Sequence, residues 1–167
     1  METTGMFKRW RAELLHVGDI VQDVDESVSW EEREARFNRY IEMLEALTGT
    51  EGPEYVLAVM ESVQAENDYG AYQSAQRAAW RFGDNFLFRA LIHELPRLID
   101  ALPEWAGELL VSIANAQDTP DESTIRNFND LLSNSDVATK QKIDDFIRQE
   151  EVSGWLRGRV GVLGSNA

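Results

Sequence analysis

Residues Phe86–Ala116 read FLFRALIHELPRLIDALPEWAGELLVSIANA and decide the fold, because no other stretch of the chain is as rich in large apolar residues. Two prolines divide it. Proline is favoured in the first turn of a helix and disrupts a helix interior. We therefore expect three helices here, one capped by Asp84, a short one beginning at Pro96 and one beginning at Pro103.

Capping residues and the helical spacing of apolar side chains predict four further helices before this stretch. The clearest start is Ser29, which forms a capping box with Glu32. Proline in the first turn and glycine after the last turn mark other boundaries. The expected helices run from Met6 to about Val21, from Ser29 to Gly49, from Pro53 to about Glu66 and from Asp68 to Gly83.

Two more helices are expected after the central stretch. Thr119 and Glu122 form a second capping box, and a last helix runs from about Asp136 to Glu150. The tail that follows, 151–167, is rich in glycine. Its larger apolar residues are expected to pack back on the helices, and they are Trp155, Val160 and Leu163.

The elements together predict an all-α protein of eight or nine short helices, because no stretch has the pattern of a confident strand. Successive helix pairs with tight connections favour a HEAT-like right-handed stack, and an irregular helical bundle is the alternative. The length fits a single domain, 1–167. Within it we expect acidic N-terminal helices in 1–68, central and C-terminal helices in 69–150, and the glycine-rich tail.

The charge of the chain is strongly negative and unevenly distributed. Sixteen basic and 30 acidic residues give a net charge of −14. Such a field repels nucleic acid and anionic membranes and attracts basic proteins. Between Tyr40 and Gln76 there is no Lys or Arg, and the acids of that stretch are Glu42, Glu45, Glu51, Glu54, Glu61, Glu66 and Asp68.

We predict that this acid-only stretch binds a positively charged partner through a continuous anionic surface. Tyrosines that lie among charges are good interface anchors, although Tyr72 fits the core at least as well. The predicted partner-binding residues are Glu42, Glu45, Glu54, Glu61, Glu66, Asp68, Tyr69 and Tyr72.

No catalytic or cofactor-binding pattern is recognisable. The absence of cysteine excludes disulfides, thiol nucleophiles and thiolate zinc sites. His16 is far from His93, and His93-Glu94 lacks the second histidine of a zinc-protease helix. We therefore expect no catalysis, no cofactor and no metal. The first residues are not a secretory signal and no apolar run is long enough to span a membrane, which predicts a cytoplasmic protein.

The central segment also has a distinctive order of motifs. Leu-Ile-His at 91–93 is followed by Pro-Glu-Trp at 103–105 and by Ile-Ala-Asn at 113–115. In this order the segment, 86–147, resembles helical immunity proteins of bacterial polymorphic-toxin and contact-dependent growth inhibition systems. Ser112 stands where those families usually have a basic residue.

The resemblance implies a protein without catalysis that binds a toxin domain delivered by a neighbouring cell and occludes it one-to-one. Many such toxins are nucleases, which are basic because they bind phosphates. An acidic inhibitor is then attracted to its target over a distance. Two alternatives stay open: a HEAT-like scaffold or adaptor unrelated to toxins, and an enzyme that uses buried carboxylates.

Overall fold

The computed structural model describes the backbone of residues 2–167 and the side chains of residues 5–167. The all-α prediction is confirmed, because the described chain forms eight helices and no strand. The helices are α1 (Glu2–Gly18), α2 (Trp30–Glu45), α3 (Pro53–Glu61), α4 (Tyr72–Trp80), α5 (Asp84–Ala101), α6 (Pro103–Ala114), α7 (Ser123–Ser133) and α8 (Val137–Ser153). They form two compact units. The first ends at Leu87 and the second is Phe88–Ala167.

In the first unit four helices surround one core. Both α1 and α4 pack against α2 and against α3. Leu14, Leu44 and Val59 are completely buried between them. The core also contains a polar pair, in which the hydroxyls of Tyr40 and Ser62 are 2.8 Å apart. Each buried hydroxyl therefore has a hydrogen-bond partner, which removes most of the cost of burying it.

The second unit is held together by the apolar faces of its helices. Leu98, Leu110, Phe128 and Ile143 are completely buried, one from each of α5 to α8. Phe88 meets Phe128 edge to face, with ring centroids 5.6 Å apart. This geometry places the positive edge of one ring against the negative face of the other, which adds to the gain from burial.

The predicted helix break at Pro96 is wrong, because α5 continues through it to Ala101. Leu91, Leu95 and Leu98 form one buried stripe across the proline, and Pro96 itself lies on the half-exposed side. Burial of that stripe outweighs the hydrogen bond that a proline cannot donate. The chain instead leaves the helix at Leu102, before the second proline, where φ is −142° and ψ is 60°.

Other predicted boundaries also differ from the structure. α3 ends at Glu61 rather than near Glu66. The hydroxyl of Tyr72 accepts hydrogen bonds from the backbone N–H groups of Gln64 and Ala65, which turns the chain out of the helix. The expected capping box at Thr119 is also wrong, because α7 begins at Ser123 without a side-chain cap.

The predicted starts at Ser29, Pro53, Pro103 and Asp136 agree with the structure, whereas α1 begins at Glu2 rather than Met6 and α4 begins at Tyr72 rather than directly after Asp68. Ser29 accepts a hydrogen bond from the backbone N–H of Glu32, and Asp136 accepts one from Thr139. The tail packs only in part, since Leu163 is buried while Val160 is 74% exposed. Side-chain capping therefore marks the starts at Ser29 and Asp136 correctly. The apolar residues of the tail do not show by themselves which of them are buried.

Candidate partner-binding surface

The predicted acidic residues all lie in the first unit, and two of them are paired with arginines. The guanidinium of Arg39 joins Glu42 of its own helix to Glu13 of α1, at 2.9 Å and 2.7 Å. Glu61 at the end of α3 receives a 2.8 Å hydrogen bond from Arg11 of α1. The charges of Glu42 and Glu61 are therefore partly balanced within the unit.

These two ion-pair groups lie on opposite flanks of α1. Positions 11 and 13 of one helix are separated by about 200° around its axis, at 3.6 residues per turn. The exposed face between them carries Lys8 and Arg9. Basic residues of α1 thus lie between Glu42 and Glu61, and a continuous anionic surface stays a prediction for the other acids.

The other predicted acids differ in what they contact. Within the described chain, Glu45, Glu54 and Glu66 are exposed and have no ion-pair partner. Glu54 lies in the first turn of α3, where the helix dipole favours a negative charge. The carboxylate of Asp68 accepts a 2.8 Å hydrogen bond from the backbone N–H of Tyr72 and so supports the start of α4.

The structure separates the two predicted tyrosines. Tyr72 is 2% exposed, and its hydroxyl donates a 2.8 Å hydrogen bond to the carbonyl of Gly18. Burial raises the pKa of this hydroxyl, although hydrogen bonds from Ala65 and Gln64 act against the rise. Tyr72 is therefore part of the core of the first unit and not of its exposed surface. Tyr69 is 48% exposed and stays available to a partner.

A cleft of about 500 Å³ opens in the first unit beside Tyr69. It lies between the end of α1, the first half of α2 and the connection from α3 to α4. Its walls also carry two acids, Asp23 and Glu34, and two arginines, Arg33 and Arg36. The apolar and aromatic side chains of its lining are Val17, Ile20, Val21, Trp30, Phe37 and Tyr69.

Side-chain hydrogen bonds join the two connections that border this cleft. The amide of Gln22 donates to the carbonyl of Asn67 at 2.9 Å and accepts from the backbone N–H of Asn67 at 3.2 Å. The hydroxyl of Tyr69 accepts a 3.1 Å hydrogen bond from the backbone N–H of Asp23. The cleft is therefore a built feature of the fold rather than a gap between loose segments.

The prediction from sequence missed Trp30 and Phe37 as surface residues. Trp30 is 70% exposed at the first position of α2, and Phe37 is half-buried in the cleft wall. No signal in the sequence singled out Trp30, because it lies seven residues before Phe37 and so on the same face of α2 as Phe37 and Leu44. The exposure of Trp30 comes from its place at the first position of the helix, and an exposed tryptophan beside an apolar cleft is a candidate interface anchor.

The arrangement of acidic and histidine side chains, across the residues that the structure describes, bears on metal binding and catalysis. No group of three or more His, Asp or Glu among them is arranged to hold a metal ion. The buried carboxylate of Glu94 lies 2.7 Å from Arg97 and 3.0 Å from the ring of His93. Its contacts are those of a structural ion pair. None of the helices that the structure describes is long and apolar enough to cross a membrane.

Comparison with known proteins adds no relative. No protein-family model, no curated protein and no solved structure matches this chain. The class that the fold and the surface define is therefore an acidic, all-α protein with an aromatic cleft in its first unit.

Proposed function

We propose that this protein is an immunity protein, which binds a basic toxin domain, such as a nuclease, and blocks it by occlusion. The observation that carries the proposal is the set of exposed carboxylates without ion-pair partners in the first unit. Of the acids predicted from sequence, Glu45, Glu54 and Glu66 belong to this set. The net charge of −14 acts over a longer range in the same sense.

The physical argument concerns encounter as much as contact. A negative field attracts a basic partner before the two proteins touch, and such steering raises association rates by about 10- to 1,000-fold at low salt. A nuclease must present a positive site to its phosphates, so an acidic inhibitor is matched to the surface that it has to cover. The resemblance of the segment 86–147 to helical immunity proteins supports the same assignment.

The test is co-expression with the basic toxin domain that this proposal expects to be encoded by a neighbouring gene. Cells that produce the toxin domain should survive when this protein is present and die when it is absent. A control is an unrelated toxin of the same activity, against which this protein should give no protection. Death of the cells with the neighbouring toxin, despite soluble expression of both proteins, would reject the proposal.

A second candidate function is an adaptor that binds a peptide of a protein unrelated to toxins. The apolar cleft beside Trp30 and Tyr69 favours it, because such a cleft can hold a peptide side chain without any toxin. The two candidates differ in their partner. Stable complex formation with a housekeeping protein, combined with no protection against the toxin, favours the adaptor.

A further inference from the structure

Two large aromatic side chains stand exposed at the cleft of the first unit. Trp30 is 70% exposed and Tyr69 is 48% exposed, and both line the same cleft. Exposed tryptophan and tyrosine beside an apolar depression are the residues that most often dominate binding energy when a partner covers them. The volume of about 500 Å³ lies in the range of sites that accept a large side chain or a small ligand.

The two arginines at the cleft make their contacts within the protein. The guanidinium of Arg33 donates to the carbonyls of Val28, Asp23 and Asp25. Arg36 is ion-paired with Glu32, one turn earlier on α2. All three guanidinium nitrogens of Arg33 are therefore engaged by backbone carbonyls, and the charge of Arg36 is balanced by Glu32.

The negative charges at the cleft are left for a partner. Glu34 is exposed and, among the described residues, has no ion-pair partner. The side chain of Asp23 is 77% exposed and makes only a 4.0 Å contact with Arg33. The cleft thus combines an apolar floor with carboxylates at its edge, and the complementary ligand is apolar with cationic neighbours.

The position of Tyr69 is fixed at an energetic cost. Its φ of 48° lies in the left-handed region. For an L-residue with a large side chain, this conformation is higher in free energy than the ordinary helical or extended conformations. The hydrogen bond from Asp23 to its hydroxyl holds the ring across the gap between the two connections. Strain retained at an exposed aromatic residue is typical of binding surfaces that are organised before the partner arrives.

We propose that this cleft is the docking site for one segment of a basic partner protein, which inserts an apolar side chain between Trp30 and Tyr69. Lys or Arg residues next to that side chain pair with Asp23 and Glu34. A second copy of this chain fits poorly, because a symmetric contact would place the same carboxylates opposite each other in two molecules of net charge −14. The statement that this partner is a toxin rests on the proposed function.

The experiment selects ligands without assuming any toxin. A phage library of random 12-residue peptides is selected on the full-length protein, and the enriched peptides are synthesised and measured by fluorescence anisotropy. We expect enriched peptides to share an aromatic or large aliphatic residue next to Lys or Arg. Trp30→Ala should weaken their binding by about 30-fold or more, as expected for an anchor residue.

Matched controls separate the cleft from general effects. Trp155→Ala removes a 45%-exposed tryptophan from the second unit and should leave peptide affinity unchanged. Glu34→Lys should weaken binding at least threefold, whereas Asp130→Lys, an equal charge change on α7, should not. Circular dichroism confirms that each variant is folded.

Three results overturn the docking site. The first is a selection that enriches no peptide, or only acidic or uncharged peptides. The second is a peptide affinity that Trp30→Ala leaves unchanged. The third is a dimer of this protein that Trp30→Ala dissociates. A selection that succeeds while toxin protection fails would refute the proposed function and keep the docking site. Protection that survives Trp30→Ala, together with a selection that yields no peptide, would refute the docking site and keep the proposed function.

Discussion

Gly18 and Tyr40 pack so closely that a β-carbon on Gly18 would lie 2.9 Å from Cε2 of the Tyr40 ring. The same β-carbon would lie 2.7 Å from the carbonyl oxygen of Ser62. Neither neighbour can move freely, because Tyr40 and Ser62 are completely buried and hydrogen-bonded to each other. The last turn of α1 therefore needs glycine for space rather than for a special backbone conformation.

This packing predicts that Gly18→Ala destabilises the first unit. Overpacking of a core costs about 1–3 kcal/mol. Urea unfolding followed by circular dichroism measures the change. Gly5→Ala is the control, because a β-carbon there meets nothing within 4 Å and alanine is the better helix former. Equal unfolding midpoints for Gly18→Ala and Gly5→Ala would show that the crowding is not real.

The buried hydroxyl of Tyr72 predicts a second change of stability. Tyr72→Phe leaves the backbone N–H groups of Gln64 and Ala65 and the carbonyl of Gly18 without their shared partner. Unsatisfied buried groups cost about 1–3 kcal/mol. Tyr69→Phe, which removes a hydroxyl from an exposed ring, should cost less than half as much. If the two variants unfold at the same urea concentration, the role given to Tyr72 is wrong.

Asn129 of α7 predicts a third effect, on the tail. Its amide donates to the carbonyl of Val162 at 3.0 Å and accepts from the N–H of Gly164 at 2.9 Å. Since Asn129 is 8% exposed, Asn129→Ala should destabilise the second unit by about 1–3 kcal/mol. The amide of Gly164 should exchange its hydrogen faster, as measured by NMR. Asn134→Ala, at an exposed position, is the control, and unchanged exchange in Asn129→Ala contradicts the prediction.

Glu51 predicts a dependence of stability on pH. Burial raises the pKa of its carboxyl, but hydrogen bonds from Thr48 and Gly49 outweigh burial and hold the pKa below the ordinary value of 4.5. A lowered pKa means that this carboxylate stabilises the fold above pH 4.5, and the stabilisation is lost as the pH falls through the folded-state value. Glu51→Gln should therefore be less stable than wild type at pH 7 and should lose less stability between pH 5 and pH 3. Thermal melting at each pH measures this difference. If the melting temperatures of the two proteins fall by the same amount between pH 5 and pH 3, the role given to Glu51 is wrong.

The exposed acids predict an effect on the rate of association with a basic partner. Reversing Glu45, Glu54 and Glu66 to lysine should lower the association rate constant about tenfold at low salt and flatten its salt dependence. The control reverses three exposed acids of the second unit, Asp121, Glu122 and Asp130, to give the same net charge. Stopped-flow fluorescence measures both. Equal rates for the two triple variants would place the interface away from the predicted acids.

Local signals predicted most of the fold. Ser29, Pro53, Pro103 and Asp136 each mark a helix start within a residue or two, because capping and the first-turn preference of proline are local properties. The prediction of a helix break at Pro96 was wrong because the outcome there is not a local property. Whether a helix continues through a proline depends on the leucine stripe around it, and the depth of burial of that stripe is set by the whole unit.

The candidate site was predicted less well than the fold. The acid-only stretch does contain exposed carboxylates, but their ion pairs with Arg11 and Arg39 come from residues outside it. A linear charge count cannot show that α1 and its basic face separate Glu42 from Glu61. The cleft likewise depends on three segments that are distant in sequence. Of the residues that line it, only Tyr69 was among the predicted partner-binding residues.

The most direct test of the central claim is the binding of the purified protein to a purified basic toxin domain, which the proposed function expects to find encoded by a neighbouring gene, measured by isothermal titration and stopped-flow at low and high salt. We expect a one-to-one complex with an association rate constant above about 10⁷ M⁻¹s⁻¹ at low salt, falling at least tenfold in 0.5 M salt. No complex at micromolar concentrations, or one whose association rate is insensitive to salt, would contradict the claim that this protein acts by attracting and covering a basic partner.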